Sequence, residues 1–288
     1  VARALLQQGD VLVLDESFAA LDPETLKQAL GCVLERAPTV LLIAPLCGLL
    51  GTLIVNNRMA FFADSIGHGA LAGLAAAALF GLADPGLALV LFATLFAAAL
   101  VALRRLTRAA NDTVIATVTS TAVAGGIVVL SRGGGFAKYT RFLIGDILGI
   151  APAEIAGLAG TLAVVIVAWL LLFNRLLLVA LDPSLARSRG KRVVLLELLL
   201  SILVAIVIAV SIPWVGLFII SSLLVLPAAA ARNVAGNAAT YHAASITIAL
   251  ASGLTGLILS YHWGTATGAT IVLVAAGFFL MTLFIRKR

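Results

Sequence analysis

Long apolar runs separated by short polar segments are the dominant pattern along this chain. Between residue 39 and the C-terminus there are nine such runs of about 20 residues each, the length that a helix needs to cross a bilayer. The runs are continuous rather than alternating, so they do not fit transmembrane β-strands. The predicted spans are 39–55, 59–82, 87–103, 113–130, 155–173, 193–212, 214–231, 238–259 and 268–285. The pattern therefore predicts an all-α, polytopic transmembrane helical bundle with eight or nine spans.

The segment 131–154 differs from the other connections. It combines several glycines with an apolar piece, 142–150, that is too short to cross a membrane. We expect this piece to lie at the membrane interface or to re-enter the bundle, where neighbouring protein can satisfy its backbone polar groups.

Basic residues are distributed unevenly among the loops. If the polar segment 174–192 is cytoplasmic, most of the 19 Lys and Arg residues lie on the cytoplasmic side, and the external loops between spans hold only Arg132, Lys138 and Arg141. The positive-inside rule favours this orientation. Nine crossings with an internal C-terminus would then place residues 1–38 outside.

Composition agrees with a membrane protein. The chain is 62% hydrophobic and 11% charged, and its mean hydropathy is +1.16, which excludes a soluble globular domain. The net charge of +6 does not indicate nucleic-acid binding, because the basic residues lie between spans. The two cysteines are too few for a disulfide framework.

The second predicted span carries an acid and an imidazole, Asp64 and His68. Residues four apart lie on one face of a helix, so both side chains point into the same volume. An ionisable residue within a span costs roughly 2.5–3.5 kcal/mol on insertion scales and indicates a function. Small neighbours such as Ser65, Gly67 and Gly69 allow other helices to approach closely.

Oxygen and nitrogen ligands of this kind suit Zn²⁺, Mn²⁺ or Fe²⁺, so Asp64 and His68 are the predicted metal ligands. Two ligands do not complete a four-coordinate zinc sphere. A second copy of the chain, water or another span would supply the rest. The alternative is a hydrogen bond between imidazole and carboxylate that joins helices without any metal.

Residues 1–38 have a different character from the spans. A short apolar run, 11–14, ends in Asp15 and Glu16, and Ala20-Leu21-Asp22 follows. This segment resembles the C-terminal part of an ABC ATPase, with the two acids in the place of its Walker B motif. The chain contains no G-x-x-x-x-G-K-[ST] phosphate loop. We therefore expect a non-functional fragment at 1–38, a permease domain at 39–288, and no catalytic residue.

Residues 46–288 resemble the membrane permease subunit of zinc, manganese or iron ABC importers. The resemblance rests on Gly48-Leu49-Leu50-Gly51-Thr52, on Arg58-Met59-Ala60-Phe61 leading to Asp64 and His68, on the segment 181–190, on Val215-Gly216-Leu217, and on the segment 223–232. It implies a multi-pass protein of a prokaryotic cytoplasmic membrane. It also implies a homodimer, a separate cytoplasmic ABC ATPase that binds ATP, and an extracytoplasmic protein that delivers the metal, with no permanently bound cofactor.

By the same resemblance, a short cytoplasmic helix couples the permease to its ATPase. Its residues are Asp182, Pro183, Ser184, Leu185, Ala186, Arg187, Ser188, Arg189 and Gly190. The alternative is an ordinary basic loop.

Two other functions remain open at this point. In an ATP-independent secondary transporter or channel, Asp64 and His68 would relay protons. An ATPase–permease fusion would hydrolyse ATP by itself. Among the other polar residues, Glu197 is expected to be neutralised by the basic cluster at Arg192, and His242 and His262 are expected at loop ends near the membrane interface.

Overall fold

The computed structural model describes residues 23–82, 84–132, 138–145, 152–188, 192–217 and 219–285. These residues form eleven helices. They are α1 (Pro23–Asn56), α2 (Ala60–Leu79), α3 (Pro85–Leu106), α4 (Asn111–Leu130), α5 (Thr140–Ile144), α6 (Pro152–Leu181), α7 (Pro183–Ser188), α8 (Val193–Val215), α9 (Ile220–Val234), α10 (Ala238–Trp263) and α11 (Thr267–Ile285).

The predicted all-α polytopic bundle is confirmed. Seven helices of the described part are long and apolar enough to cross a membrane, namely α2, α3, α4, α6, α8, α10 and α11. Two further apolar helices are shorter: the part of α1 from Val40 to Asn56, and α9. Each of the nine predicted apolar runs lies largely within one of these helices. A helix satisfies its backbone groups within one segment, as a bilayer requires.

The predicted boundary between the sixth and seventh spans is wrong. The seventh span was expected to begin at Trp214, but Trp214 and Val215 complete α8, and α9 begins only at Ile220. Gly216 ends α8 with a φ of 97°, a conformation that favours glycine. Pro213, where the sequence had suggested a helix end, lies inside the last turn of α8.

Helix α2 is packed on several sides. It contacts α3 and α4 along much of its length and also meets α8 and α9. Gly126 of α4 lies against the main chain of Leu71 and Ala72, and Gly69 and Gly73 lie against phenylalanine rings of α3. Small residues at these positions let the helix axes approach closely, which is how membrane helices gain packing energy.

The glycines of the 48–52 motif have a similar role in α1. A Cβ atom at Gly48 would lie 2.9 Å from the Cα atom of Ile246 in α10, and one at Gly51 would overlap the carbonyl oxygen of Leu224 in α9. Ser245 of α10 also donates a hydrogen bond to the Gly48 carbonyl, at 2.8 Å. This motif thus holds α1 against α9 and α10.

The short helix α5 packs against the end of α8. The amide of Leu217 donates to the carbonyl of Phe142 at 3.0 Å, and the backbones of Gly145 and Gly216, both with positive φ, lie in direct contact. The apolar piece 142–150 was expected to lie at the interface or to re-enter the bundle. Its first residues do contact the bundle, while 146–150 are outside the described residues.

Candidate metal site on helix α2

Asp64 and His68 occupy successive turns of α2, on one face of the helix. Their side chains are 46% and 37% exposed, respectively, whereas Ser65, Ile66 and Gly67 between them are buried. The two predicted ligands therefore share a face that is left partly uncovered by the residues that the structure describes. The predicted juxtaposition is present.

The imidazole is oriented by the main chain. Nδ1 of His68 lies 3.0 Å from the carbonyl oxygen of Asp64, one turn earlier in the same helix. A carbonyl only accepts, so this bond places the proton on Nδ1 and makes Nε2 the nitrogen whose lone pair suits a cation. Metal-binding histidines are commonly oriented in this way.

The carboxylate is held by a residue from another helix. The hydroxyl of Ser221, in the first turn of α9, donates to Oδ1 of Asp64 at 2.7 Å. Nδ1 of His68 is 3.6 Å from the same oxygen, beyond hydrogen-bonding distance. Nδ1 of His68 and the Asp64 carboxylate thus do not form the metal-free hydrogen bond considered as the alternative.

Ser221 was missed by sequence reasoning. The only signal was a pair of hydroxyl residues, Ser221 and Ser222, within an apolar run, and serine is common in membrane helices. Nothing in the sequence indicates that one of the two faces a carboxylate on α2.

The metal-ligating side chains of the described residues do not form a larger cluster around this pair. No group of three or more His, Cys, Asp or Glu side chains with metal-binding geometry occurs among the residues that the structure describes. That a second copy of the chain, water or another span supplies the remaining ligands stays a prediction.

The predicted coupling segment forms the six-residue helix α7. Oδ1 of Asp182 accepts hydrogen bonds from the hydroxyl and amide of Ser184 and from the amide of Leu185, at 2.6, 2.9 and 3.0 Å. Ala186 is buried, and α7 contacts α6 and α8. Leu185 is 40% exposed. Arg189 and Gly190 lie outside the described residues.

The hydrogen bonds at Asp182 lower the pKa of its carboxyl group below the ordinary value of 3.8. The hydroxyl of Ser184 is the main cause, and the amides of Leu185 and Ser184 add to it. Asp182 is therefore ionised at neutral pH, and a negative charge at the start of a helix is stabilising.

Glu197 has a different partner from the expected one. It forms ion pairs with Arg104 at 3.2 Å and Arg105 at 2.7 Å, at the end of α3. The predicted neutralisation by the cluster at Arg192 is not the pairing observed. Beside these pairs lies a cavity of about 740 Å³, which Arg58, Arg104 and Glu197 help to line.

His242 belongs to the interior of the bundle rather than to a loop end. It is 8% exposed, and its ring meets Trp169 and Phe173 of α6 edge-on, with ring centroids 5.0 and 4.8 Å apart. These contacts are those of a packed aromatic cluster. His262 lies in the last turn of α10.

Known proteins resemble the chain over most of its length. The family model described as "ABC 3 transport family" matches residues 32–286. The high-affinity zinc uptake system membrane protein ZnuB of Haemophilus influenzae is 31% identical over 244 residues, which cover 83% of this chain and 92% of that protein. The manganese import system permease protein ScaB of Streptococcus parasanguinis is 28% identical over 250 residues, covering 87% and 89%.

A solved structure has the same fold. PsaBC from Streptococcus pneumoniae, in complex with Fab, matches with a TM-score of 0.77 and 27% identity, covering 87% of this chain and 90% of that one.

Proposed function

Because the chain belongs to the ABC 3 transport family, we propose that it imports a divalent transition-metal ion, foremost Zn²⁺, in an ATP-driven importer of the prokaryotic cytoplasmic membrane. The chain is a multi-pass membrane permease subunit and not an enzyme. ATP hydrolysis is assigned to a separate ABC ATPase. The observation that carries the proposal is the partly uncovered pair of Asp64 and His68 on α2.

The ligand types and the relatives support this choice of cargo. One carboxylate and one imidazole suit Zn²⁺, Mn²⁺ and Fe²⁺, and at equal geometry the affinity order favours zinc over manganese. A zinc uptake protein and a manganese import protein are both among the relatives, which supports a metal of this class.

The site is completed by a second copy of the chain. A carboxylate that is 46% exposed would be costly if its face met lipid. Covering this face with the same face of a second copy removes that cost and brings two carboxylates and two imidazoles together. Four such ligands suit a four-coordinate zinc ion. The transported ion then passes between the two copies of a homodimer.

The partner proteins act at opposite ends of this dimer. Helix α7, held to the bundle by Ala186 and presenting Leu185 to solvent, is the surface for the cytoplasmic ATPase. An extracytoplasmic metal-binding protein delivers the ion from the other side. Closure of the ATPase dimer moves α7 and changes the side to which Asp64 and His68 are open.

The division of the chain at residue 38 is also part of this proposal. Residues 1–38 form a non-functional ATPase-like fragment and 39–288 form the permease domain. Asp15 and Glu16 lie outside the described residues, and α1 begins at Pro23 and continues through residues 38 and 39 without interruption.

Substitution of the two ligands tests the proposed function. We expect Asp64→Ala and His68→Ala each to lower zinc uptake by cells, and zinc bound per purified dimer, by more than about tenfold, because each removes a ligand from both copies. Ser65→Ala, a buried polar neighbour in the same helix, is the matched control and should behave like the wild type. Unchanged uptake and occupancy in both ligand variants, or uptake that follows a proton gradient without the ATPase, would contradict the proposal.

A further inference from the structure

Resting on the proposed function, we propose that Ser221 is a positioning residue that limits Asp64 to a single metal-binding oxygen. Through this restriction it sets the preference of the site for an ion of low coordination number, such as Zn²⁺, over Mn²⁺. Ser221 itself does not bind the ion.

The contact between α9 and α2 is fixed by the backbone. Gly216 ends α8 with a positive φ, and the chain then turns so that the carbonyl of Leu217 lies against Gly67 of α2. A Cβ atom at Gly67 would be 3.2 Å from that carbonyl oxygen and 4.0 Å from the Cβ atom of Ser221. The first turn of α9 is therefore held directly on the turn of α2 that carries Asp64.

Burial of Ser221 favours retention of its hydrogen bond to Asp64. Ser221 is 3% exposed, whereas the side chain of Asp64 is 46% exposed. Loss of this hydrogen bond is unfavourable, because leaving a buried hydroxyl without a partner costs about 1–3 kcal/mol of stability. The carboxylate is thus held by a buried hydroxyl although its side chain is still partly exposed.

The bond favours binding of the ion through the other oxygen of Asp64, because Oδ1 already uses one of its two lone pairs for Ser221. Ser221 donates to Oδ1 at 2.7 Å, and no other hydrogen bond to this carboxylate is formed by the described residues. A carboxylate can bind a cation through one oxygen or through both. With Oδ1 engaged, binding through Oδ2 alone is favoured, and one-oxygen binding keeps the coordination number low.

A low coordination number discriminates between ions. Zn²⁺ is usually four-coordinate, whereas Mn²⁺ belongs with the ions that favour six ligands rich in oxygen. Removing the hydroxyl frees Oδ1 and lets the carboxylate rotate and bind through both oxygens. The expected consequence is weaker zinc binding with little change for manganese.

Cobalt(II) reports the coordination number directly. A four-coordinate Co²⁺ ion absorbs visible light strongly, and a six-coordinate Co²⁺ ion absorbs it weakly. We would titrate the purified full chain with Co²⁺ and then displace it with Zn²⁺ or Mn²⁺. For Ser221→Ala we expect weaker visible bands and a zinc dissociation constant raised by about tenfold, as is typical when a group that orients a metal ligand is lost. The manganese dissociation constant should change less, so the preference of the site for zinc over manganese should fall.

Two controls separate positioning from packing. Ser222→Ala removes the neighbouring hydroxyl of the same helix and should leave the spectrum and both constants at wild-type values. Ser221→Thr and Ser221→Val add volume almost equally, but only threonine keeps a hydroxyl. Threonine should therefore retain the intense bands and valine should lose them, even if Ser221→Ala does not fold.

The possible failures are distinguishable. If Asp64→Ala abolishes binding but Ser221→Ala and Ser221→Val match Ser222→Ala in spectrum and in metal preference, Ser221 has no positioning role and the proposed function stands. If the wild type shows no cobalt or zinc binding that depends on Asp64, the proposed site fails, and the role of Ser221 fails with it.

Discussion

At the scale of single residues, the neighbouring glycines Gly125 and Gly126 in α4 have different surroundings. A Cβ atom at Gly126 would lie 3.0 Å from the amide nitrogen of Ala72 and 3.1 Å from the carbonyl oxygen of Leu71. One at Gly125 would have nothing within 4 Å. Main-chain atoms inside a helix cannot move aside as a flexible side chain can. Gly126 is therefore required for the contact between α2 and α4, and Gly125 is not.

We expect Gly126→Ala to destabilise the purified protein by about 1–3 kcal/mol, the usual cost of forcing an additional carbon into a packed interior. Gly125→Ala should leave stability unchanged or raise it slightly, since alanine is the better helix former. The melting temperatures of the two variants would be measured by thermal unfolding in the same detergent. Equal shifts in the two melting temperatures would show that the approach of α4 to α2 does not depend on Gly126.

At the scale of one element, α7 depends on contacts outside its own backbone. A helix of six residues is too short to be stable alone. Asp182 supplies three hydrogen bonds at its start, and burial of Ala186 holds it to the bundle. We therefore expect the Asp182 cap to contribute to the orientation of α7, and with it to the proposed ATPase surface.

The lowered pKa of Asp182 determines the pH range of this cap. Because the folded pKa lies below the ordinary value of 3.8, the stabilisation is fully present above that value and is lost as the pH falls through the lowered folded pKa. Hydrogen exchange at the amides of Ser184 and Leu185 should thus be slow near neutral pH. Titration of Asp182 should add no pH dependence to that exchange in this range.

Asp182→Ala should speed exchange at those two amides several-fold at neutral pH and should reduce ATP-driven uptake. Asp182→Ser, which retains an N-cap oxygen, should restore much of the protection. Equal exchange in the alanine variant and the wild type would mean that α7 is held by its packing alone.

At the scale of the whole molecule, basic residues and ion pairs define one end of the bundle. Arg104 and Arg105 end α3 and pair with Glu197 near the start of α8. Helix α7 precedes α8 along the chain and also packs on it. These groups share the side of the bundle that the positive-inside rule assigns to the cytoplasm.

Single cysteines test this orientation. In a background with Cys32→Ala and Cys47→Ala, a cysteine at Ser188, which is exposed in α7, should react with an impermeant maleimide only in inside-out vesicles. A cysteine at Leu82, 46% exposed between α2 and α3, should react in intact cells. The reverse labelling would invert the topology and place the proposed ATPase surface outside.

The sequence by itself determined the class of the protein and the positions of its spans. Helical hydrogen bonds are local, and the bilayer sets a length that an apolar run either reaches or does not. For the same reason the pairing of Asp64 with His68 was predictable, because one helix turn separates them. The resemblance to metal permeases likewise rests on ordered local motifs.

Only the tertiary structure decided which distant residues meet. Ser221 and Asp64 are 157 positions apart, and Arg105 and Glu197 are 92 apart. The end of α8 at Gly216, rather than at Pro213, depends on close contact with the backbone at Gly145. Helix neighbours in a bundle are chosen by the fit of whole surfaces, and no single run of apolar residues contains that information.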